Sequence, residues 1–193
     1  LKPMVLSGSV NIRDIYIREL KNPAVSQASF SACDDSLNRI FEAGRETFAQ
    51  NAPDLYMDCP SRERAGWLCD SFFTARVEYV LTGTCTVEKV FLENFLLADQ
   101  FEHLPEGMLP MCYPADHYDG VFIPNWAMWF VLELEEYLVR SGDTELIIRA
   151  KKRVFDLLRY LETFENADGL LERLPSWVFA VSYTHLRAHE TLM

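Results

Sequence analysis

The sequence is poor in metal-binding and membrane-spanning patterns. Its five cysteines, Cys33, Cys59, Cys69, Cys85 and Cys112, form no CxxC pair, which removes the usual zinc-site spacing. Their odd number argues for free thiols rather than a disulfide framework. No run of 18 apolar residues occurs, and no charged segment leads into an apolar one, so neither a spanning helix nor a targeting signal is visible. Positive charge is also short. Lys and Arg number 18 against 29 Asp and Glu, a formal net charge of -11. That balance argues against nucleic-acid and anionic-membrane partners, and permits a neutral sugar without requiring one. What is present is a chain able to build a core, 49% hydrophobic and 24% charged in 193 residues. Such a chain is not disordered. Aromatics make up 13%, and most serve a core first.

The chain changes character near residue 30. Val10 to Arg18 carries β-branched and aromatic residues with partial alternation, and Lys21-Asn22-Pro23 breaks it. That pattern predicts a strand, which must pair with a neighbouring β domain because a lone pair of strands is not stable. From Ser31 the pattern becomes helical. Asp34-Asp35-Ser36 predicts the cap of a helix with Leu37, Ile40, Phe41 and Phe48 on one face. A second helix runs from about Trp67 to Leu81, with Phe72, Phe73, Ala75, Val80 and Leu81 as core candidates, and Gly83 stops it. Thr86 is read as the cap of a third helix burying Val90, Phe91, Phe95 and Leu96. Residues 104–123 form a long loop rich in Pro, Gly, Asp and Tyr, of a length often tied to function. Pro124 opens a fourth helix at its first turn, and Ser141-Gly142-Asp143 ends it and caps a fifth over 144–164. In the fourth helix Leu132, Leu134 and Leu138 read as the dry face, with Glu133, Glu135 and Glu136 on the wet one. Asn166 to Gly169 is a turn. The alternation predicts antiparallel helical hairpins with long loops gathered at one end.

The chemistry concentrates in Asp58-Cys59-Pro60-Ser61-Arg62-Glu63-Arg64-Ala65-Gly66-Trp67-Leu68-Cys69-Asp70, which holds three carboxylates, two arginines and a tryptophan. Glycoside hydrolysis needs carboxylates to protonate a leaving oxygen and activate water, and indole packs against the apolar face of a sugar. A carboxyl beside an indole such as Trp67 has a raised pKa and holds a proton near neutrality. A solvated Arg-Glu-Arg surface cluster is the competing reading of the same residues.

The string Asp58-Cys-Pro-x-Arg62-Glu63-Arg64-x-Gly66-Trp67-x-x-Asp70 resembles the signature of glycoside hydrolase family 78, the bacterial α-L-rhamnosidases. Ile123-Pro124-Asn125-Trp126 and Leu174-Pro175-Ser176-Trp177 are similar to two later tryptophan loops of that family. The likeness covers roughly residues 8–180. It implies a mainly α fold, a partial (α/α)6 barrel of helical hairpins preceded by a short β segment from a neighbouring β-sandwich. In that division residues 1–30 are the last strands of the sandwich and 31–180 the N-terminal part of the six-hairpin domain. The implied roles are Glu63 as general acid, Asp58 and Asp70 as ligands of sugar hydroxyls, Arg62 as a supporting polar contact, and Trp67, Trp126 and Trp177 as walls of the sugar subsite. Trp129 is left to the core. Asp116, His117, Tyr118 and Asp119 are candidates for further substrate contact. The partners implied are a carbohydrate substrate and the remaining barrel and β-sandwich domains, with no nucleic acid or membrane. No cofactor and no metal are implied, because two carboxylates carry the chemistry.

Two departures stand out. Leu68-Cys69 replaces the small residue, commonly glycine, that the family often has before the aspartate. The general base of an inverting enzyme, which in the family lies further C-terminal, has no counterpart here. The expectation is therefore a fragment with little or no activity. A non-catalytic carbohydrate-binding relative and a six-hairpin hydrolase for another sugar are the alternatives. Residues 181–193 read as a non-native tail. Ser182 to Thr191 resembles translated sequencing-adaptor read-through, and His185 and His189, though four apart, are assigned no metal.

Overall fold

The computed structural model describes residue 4, residues 6–115 and residues 119–178. Five helices carry the fold: α1 (Asp35–Asn51), α2 (Leu68–Thr82), α3 (Thr86–Asn94), α4 (Pro124–Ser141) and α5 (Thr144–Glu162). The tail at 181–193, with His185 and His189, and the loop residues Asp116, His117 and Tyr118 lie outside the described residues.

Local chemistry sets most helix ends. The Asp34 carboxylate accepts from Ser36 N–H and starts α1, a charge-assisted cap at the positive end of the helix. Gly83 and Gly142 close α2 and α4 in the left-handed region, at φ 68° and 70°, where a side chain is strained. Asp143 then caps α5 by accepting from Leu146 N–H. The cap expected from Thr86 is supplied otherwise. Thr86 is the first residue of α3, and the carboxylate of Glu78, on α2, accepts from Val87 N–H at 2.8 Å and Glu88 N–H at 2.9 Å. Tyr56 donates its hydroxyl to the same carboxylate. Glu78 is buried, and these donors replace the water it gives up.

The principal seam runs between α2 and α4; α3 packs on both of them, α5 on α4 and α1 on α2. Ala75, Phe91, Phe95, Phe130, Leu134, Leu146 and Leu157 fill the interior. Each such large side chain contributes about 1.5–3 kcal/mol by leaving water.

Three expectations are corrected. First, Val10 to Leu20 forms no strand; the segment is exposed, and its backbone pairs with no other segment among the described residues. A strand needs a partner backbone, and without one the chain stays extended and solvated. The segment ends in a 3₁₀ turn at Pro23–Gln27, capped by Asn22. Second, α4 has a different dry face from the one its leucines suggest. Leu132 is exposed and Glu133 is fully buried, because the buried row is Trp126, Phe130, Glu133, Leu134 and Tyr137, the spacing of one helix face. Third, several apolar residues of α1, α2 and α3 have no cover. Ile40 is 67% and Val80 78% exposed, and Leu37, Phe73, Val77 and Val90 are exposed as well. An apolar groove of about 840 Å³ runs between α1 and α2, lined by Phe41, Phe48, Phe73, Val77 and Leu81 and reaching Asp58 and Asp70.

Candidate active site

The carboxylate-rich segment is a loop tied down at both ends. Asp58 N–H donates to Ala65 O, and Ala65 N–H returns to Asp58 Oδ1, each at 3.1 Å. Asp58 therefore spends one oxygen on closing its own loop, and its carboxylate also bonds the Cys59 side chain. The far end is stitched to residues 111–113 of the long loop. Leu68 N–H donates to Met111 O at 3.1 Å and Tyr113 N–H to Gly66 O at 3.0 Å, with Trp67 opposite Cys112. Gly66 is required by this approach. A Cβ there would stand 2.7 Å from Tyr113 O and 2.9 Å from a ring carbon of Phe91. Arg64 adopts φ 52°, an uncommon conformation for a non-glycine residue. It turns the chain back toward Ala65.

Glu63 lies inside this frame. Trp67 Nε1–H donates to its Oε2 at 3.2 Å, and the Arg62 guanidinium donates to Oε1. Trp67 is thus fixed by its indole N–H on the acid and by its neighbours Gly66 and Leu68, whose backbones bond the long loop. Arg62 is 83% exposed at its side chain. Asp70 sits in the first turn of α2. Burial pushes its carboxyl up from the ordinary range, and the charges of Asp58 and Glu63 push it further. Those two carboxylates and Asp70 also act on the buried Cys112 thiol, which loss of solvent and then their charge push up to about 12. All three carboxylates of the motif are therefore near enough to Cys112 for their charges to act on it. Cys59 has the opposite environment. Backbone N–H groups of Arg64, Glu63 and Ser61 pull its thiol down.

The other expected site residues are placed less uniformly. Trp177 is 41% exposed and is held near the start of α4 by its N–H on Phe122 O at 3.1 Å, while Phe122 N–H donates to Ser176 Oγ. Trp126 is only 6% exposed. It occupies the buried row of α4, one turn ahead of Phe130, and presents little surface to a ligand. Trp129, expected in the core, is instead half-buried against Phe72 and Phe73, with ring centroids at 4.6 and 5.7 Å. Asp119 accepts from Val121 N–H, a local turn that employs its carboxylate. No group of three metal-ligating side chains occurs among the described residues.

Residues 26–180 match the family model of the bacterial alpha-L-rhamnosidase six-hairpin glycosidase domain. The chain belongs to this family. A solved structure, the GH78 family rhamnosidase of Bacillus sp. GL1, superposes with a TM-score of 0.69 at 26% sequence identity, over 80% of this chain and 15% of that one. The chain thus spans a small part of the length of that rhamnosidase. No curated protein sequence matches. As a six-hairpin glycosidase domain, the chain places its acid-rich loop at the N-terminal end of α2, where residues 111–113 of the long loop before α4 are its neighbours. Sequence reasoning missed residues 111–113 as the template of the motif. The apolar run Met108-Leu109-Pro110-Met111-Cys112 inside an otherwise polar loop is the signal that could have found it.

Proposed function

We propose that this chain carries the acid half of an inverting glycosidase site for terminal α-L-rhamnose. The observation that carries the reading is the pairing of Glu63 with Trp67 Nε1–H, beside Asp58 and Asp70, in a member of the rhamnosidase six-hairpin family. Glu63 acts as general acid. Its proton passes to the glycosidic oxygen as the bond to the anomeric carbon breaks, while water adds from the opposite face and gives up its own proton to a base. The Arg62 guanidinium, exposed beside the acid, is free to move aside as substrate enters. The carboxylates of Asp58 and Asp70 accept from sugar hydroxyls, and Trp67 packs on the ring. Trp177, exposed beside the start of α4, is the further tryptophan assigned to the sugar subsite, and the buried Trp126 acts through packing.

The base acts from about 6.5–9.5 Å away, across a water, and we assign none within residues 1–193. It belongs to the remainder of the barrel. The chain by itself is then a binding fragment. L-rhamnose should quench or shift tryptophan fluorescence weakly in the 193-residue chain and not in a Trp67→Ala variant, with no p-nitrophenol released from its rhamnoside. Release at a rate above background would overturn the missing base. Equal response to glucose, galactose and rhamnose would overturn the sugar assignment and favour a hydrolase or binding protein for another sugar.

A further inference from the structure

Behind the acid loop lies a buried carboxyl that the proposed chemistry does not use. Glu133, on α4, has no exposed surface. Its Oε2 stands 2.6 Å from Ser71 Oγ, and Ser71 Oγ stands 2.6 Å from the Leu68 carbonyl oxygen. A serine hydroxyl has one proton to give. Both distances are at the short end for an O–H···O bond, and a proton shared between two acceptors does not hold both that close. A carbonyl oxygen cannot donate. The proton between Ser71 and Leu68 therefore comes from Ser71, and the proton between Ser71 and Glu133 comes from Glu133. The remaining oxygen, Oε1, is buried with no hydrogen-bond partner. That is a modest cost for the carbonyl of a neutral acid and a heavy one for a carboxylate.

We propose that Glu133 is held as a neutral carboxylic acid that donates to Ser71, and that the relay Glu133–Ser71–Leu68 is a positioning device for the first turn of α2, which carries Trp67 and Asp70. Leu68 is the first residue of α2, so fixing its carbonyl fixes the helix end next to the indole that holds Glu63. The surroundings agree. Burial drives the Glu133 carboxyl well above the ordinary range; the Ser71 bond and the Arg140 charge oppose this, and the charges of Glu88 and Glu136 add to it. Glu88 on α3 is committed to Arg140, and Arg140 also holds Glu136 on α4. Cys69 on α2 and Tyr56 from the loop after α1 are the other titratable neighbours of Glu133. No cation reaches Glu133 directly among the described residues.

The positioning role rests on the sugar-site reading; the protonation does not, and the two are measured apart. Infrared difference spectra of the 193-residue chain against Glu133→Gln at pH 7 should show a protonated-carboxyl C=O band lost in the variant. Carboxylate bands alone in the difference would overturn the neutral acid. Ser71→Ala should keep that band and shift it to higher frequency. For positioning, the Trp67 indole N–H resonance is followed by heteronuclear NMR. Glu133→Gln, which donates from its amide as the acid does, should leave it in place, and Glu133→Leu and Ser71→Ala should each move it. An unmoved resonance in Ser71→Ala, a variant that removes one oxygen, would reduce the relay to packing and overturn the role, whether or not the chain binds rhamnose.

Discussion

At the scale of single residues, Gly66 shows how little room the acid loop has. Its missing side chain is what lets Tyr113 O approach, and the atom in the way is backbone, which cannot rotate aside. Gly66→Ala should cost about 2 kcal/mol or more in urea unfolding, the range of forced overpacking. A loss under about 0.5 kcal/mol would mean that the loop and residues 111–113 are not stitched as described. The Asp58–Gly66–Trp67–Asp70 pattern was legible in the sequence because each member has a distinct chemical reason to be there. Glu133 was not. An isolated glutamate between leucines reads as solvated by hydropathy alone, and only the phase of α4, set by Trp126, Phe130 and Tyr137, turns it inward. The two tryptophans of α4 exchanged expectations for the same reason, since three residues of helix separate them and the phase decides which one faces the core.

At the scale of elements, the helices were read nearly to their ends from caps and glycines. The α4–α5 corner adds an electrostatic clasp that spacing could not reveal. Lys89 of α3 and Tyr137 of α4 both donate to Asp143, and Arg76 of α2 and Arg140 both donate to Glu136. Lys89 first, then Leu146 N–H and Tyr137, hold the Asp143 carboxyl at about 2. Arg76 first, then Arg140, hold Glu136 at about 2. Both values are depressed by folding, so both groups stabilise the fold above their ordinary range near pH 4. That stability is lost as pH falls through the folded values. Thermal melts should therefore decline between about pH 4.5 and 2, and Asp143→Asn should flatten part of that decline. A slope unchanged in Asp143→Asn would mean the clasp is solvated in solution. The surface partners, Lys89 and Arg76, keep the effect modest and salt-sensitive.

At the scale of the whole molecule, the uncovered face of α1 and α2 dominates behaviour. Ile40 and Val80 lie on it as bare aliphatic surface, and patches of this kind draw partners or aggregate. The sequence marked these residues as core because periodicity reports which face is apolar and cannot report whether anything lies against it. Sedimentation of the 193-residue chain should show concentration-dependent association. The Ile40→Lys, Val80→Lys double variant should sediment as a monomer with its thermal midpoint unchanged within about 2 °C, since surface substitutions are usually near neutral. Monomeric behaviour of the unmodified chain would show that the face tolerates water.

The Glu78 cap has a consequence for time rather than for stability. Helix α3 has nine residues, too few to persist alone in water. The amides of its second and third residues are held by a side chain that belongs to the preceding helix and is itself buried. The start of α3 is therefore tied to α2: where the turn of α2 that carries Glu78 unwinds, α3 loses its cap. Newly made chain that has emerged only as far as Gly83 already carries the anchor for a helix it has yet to extend.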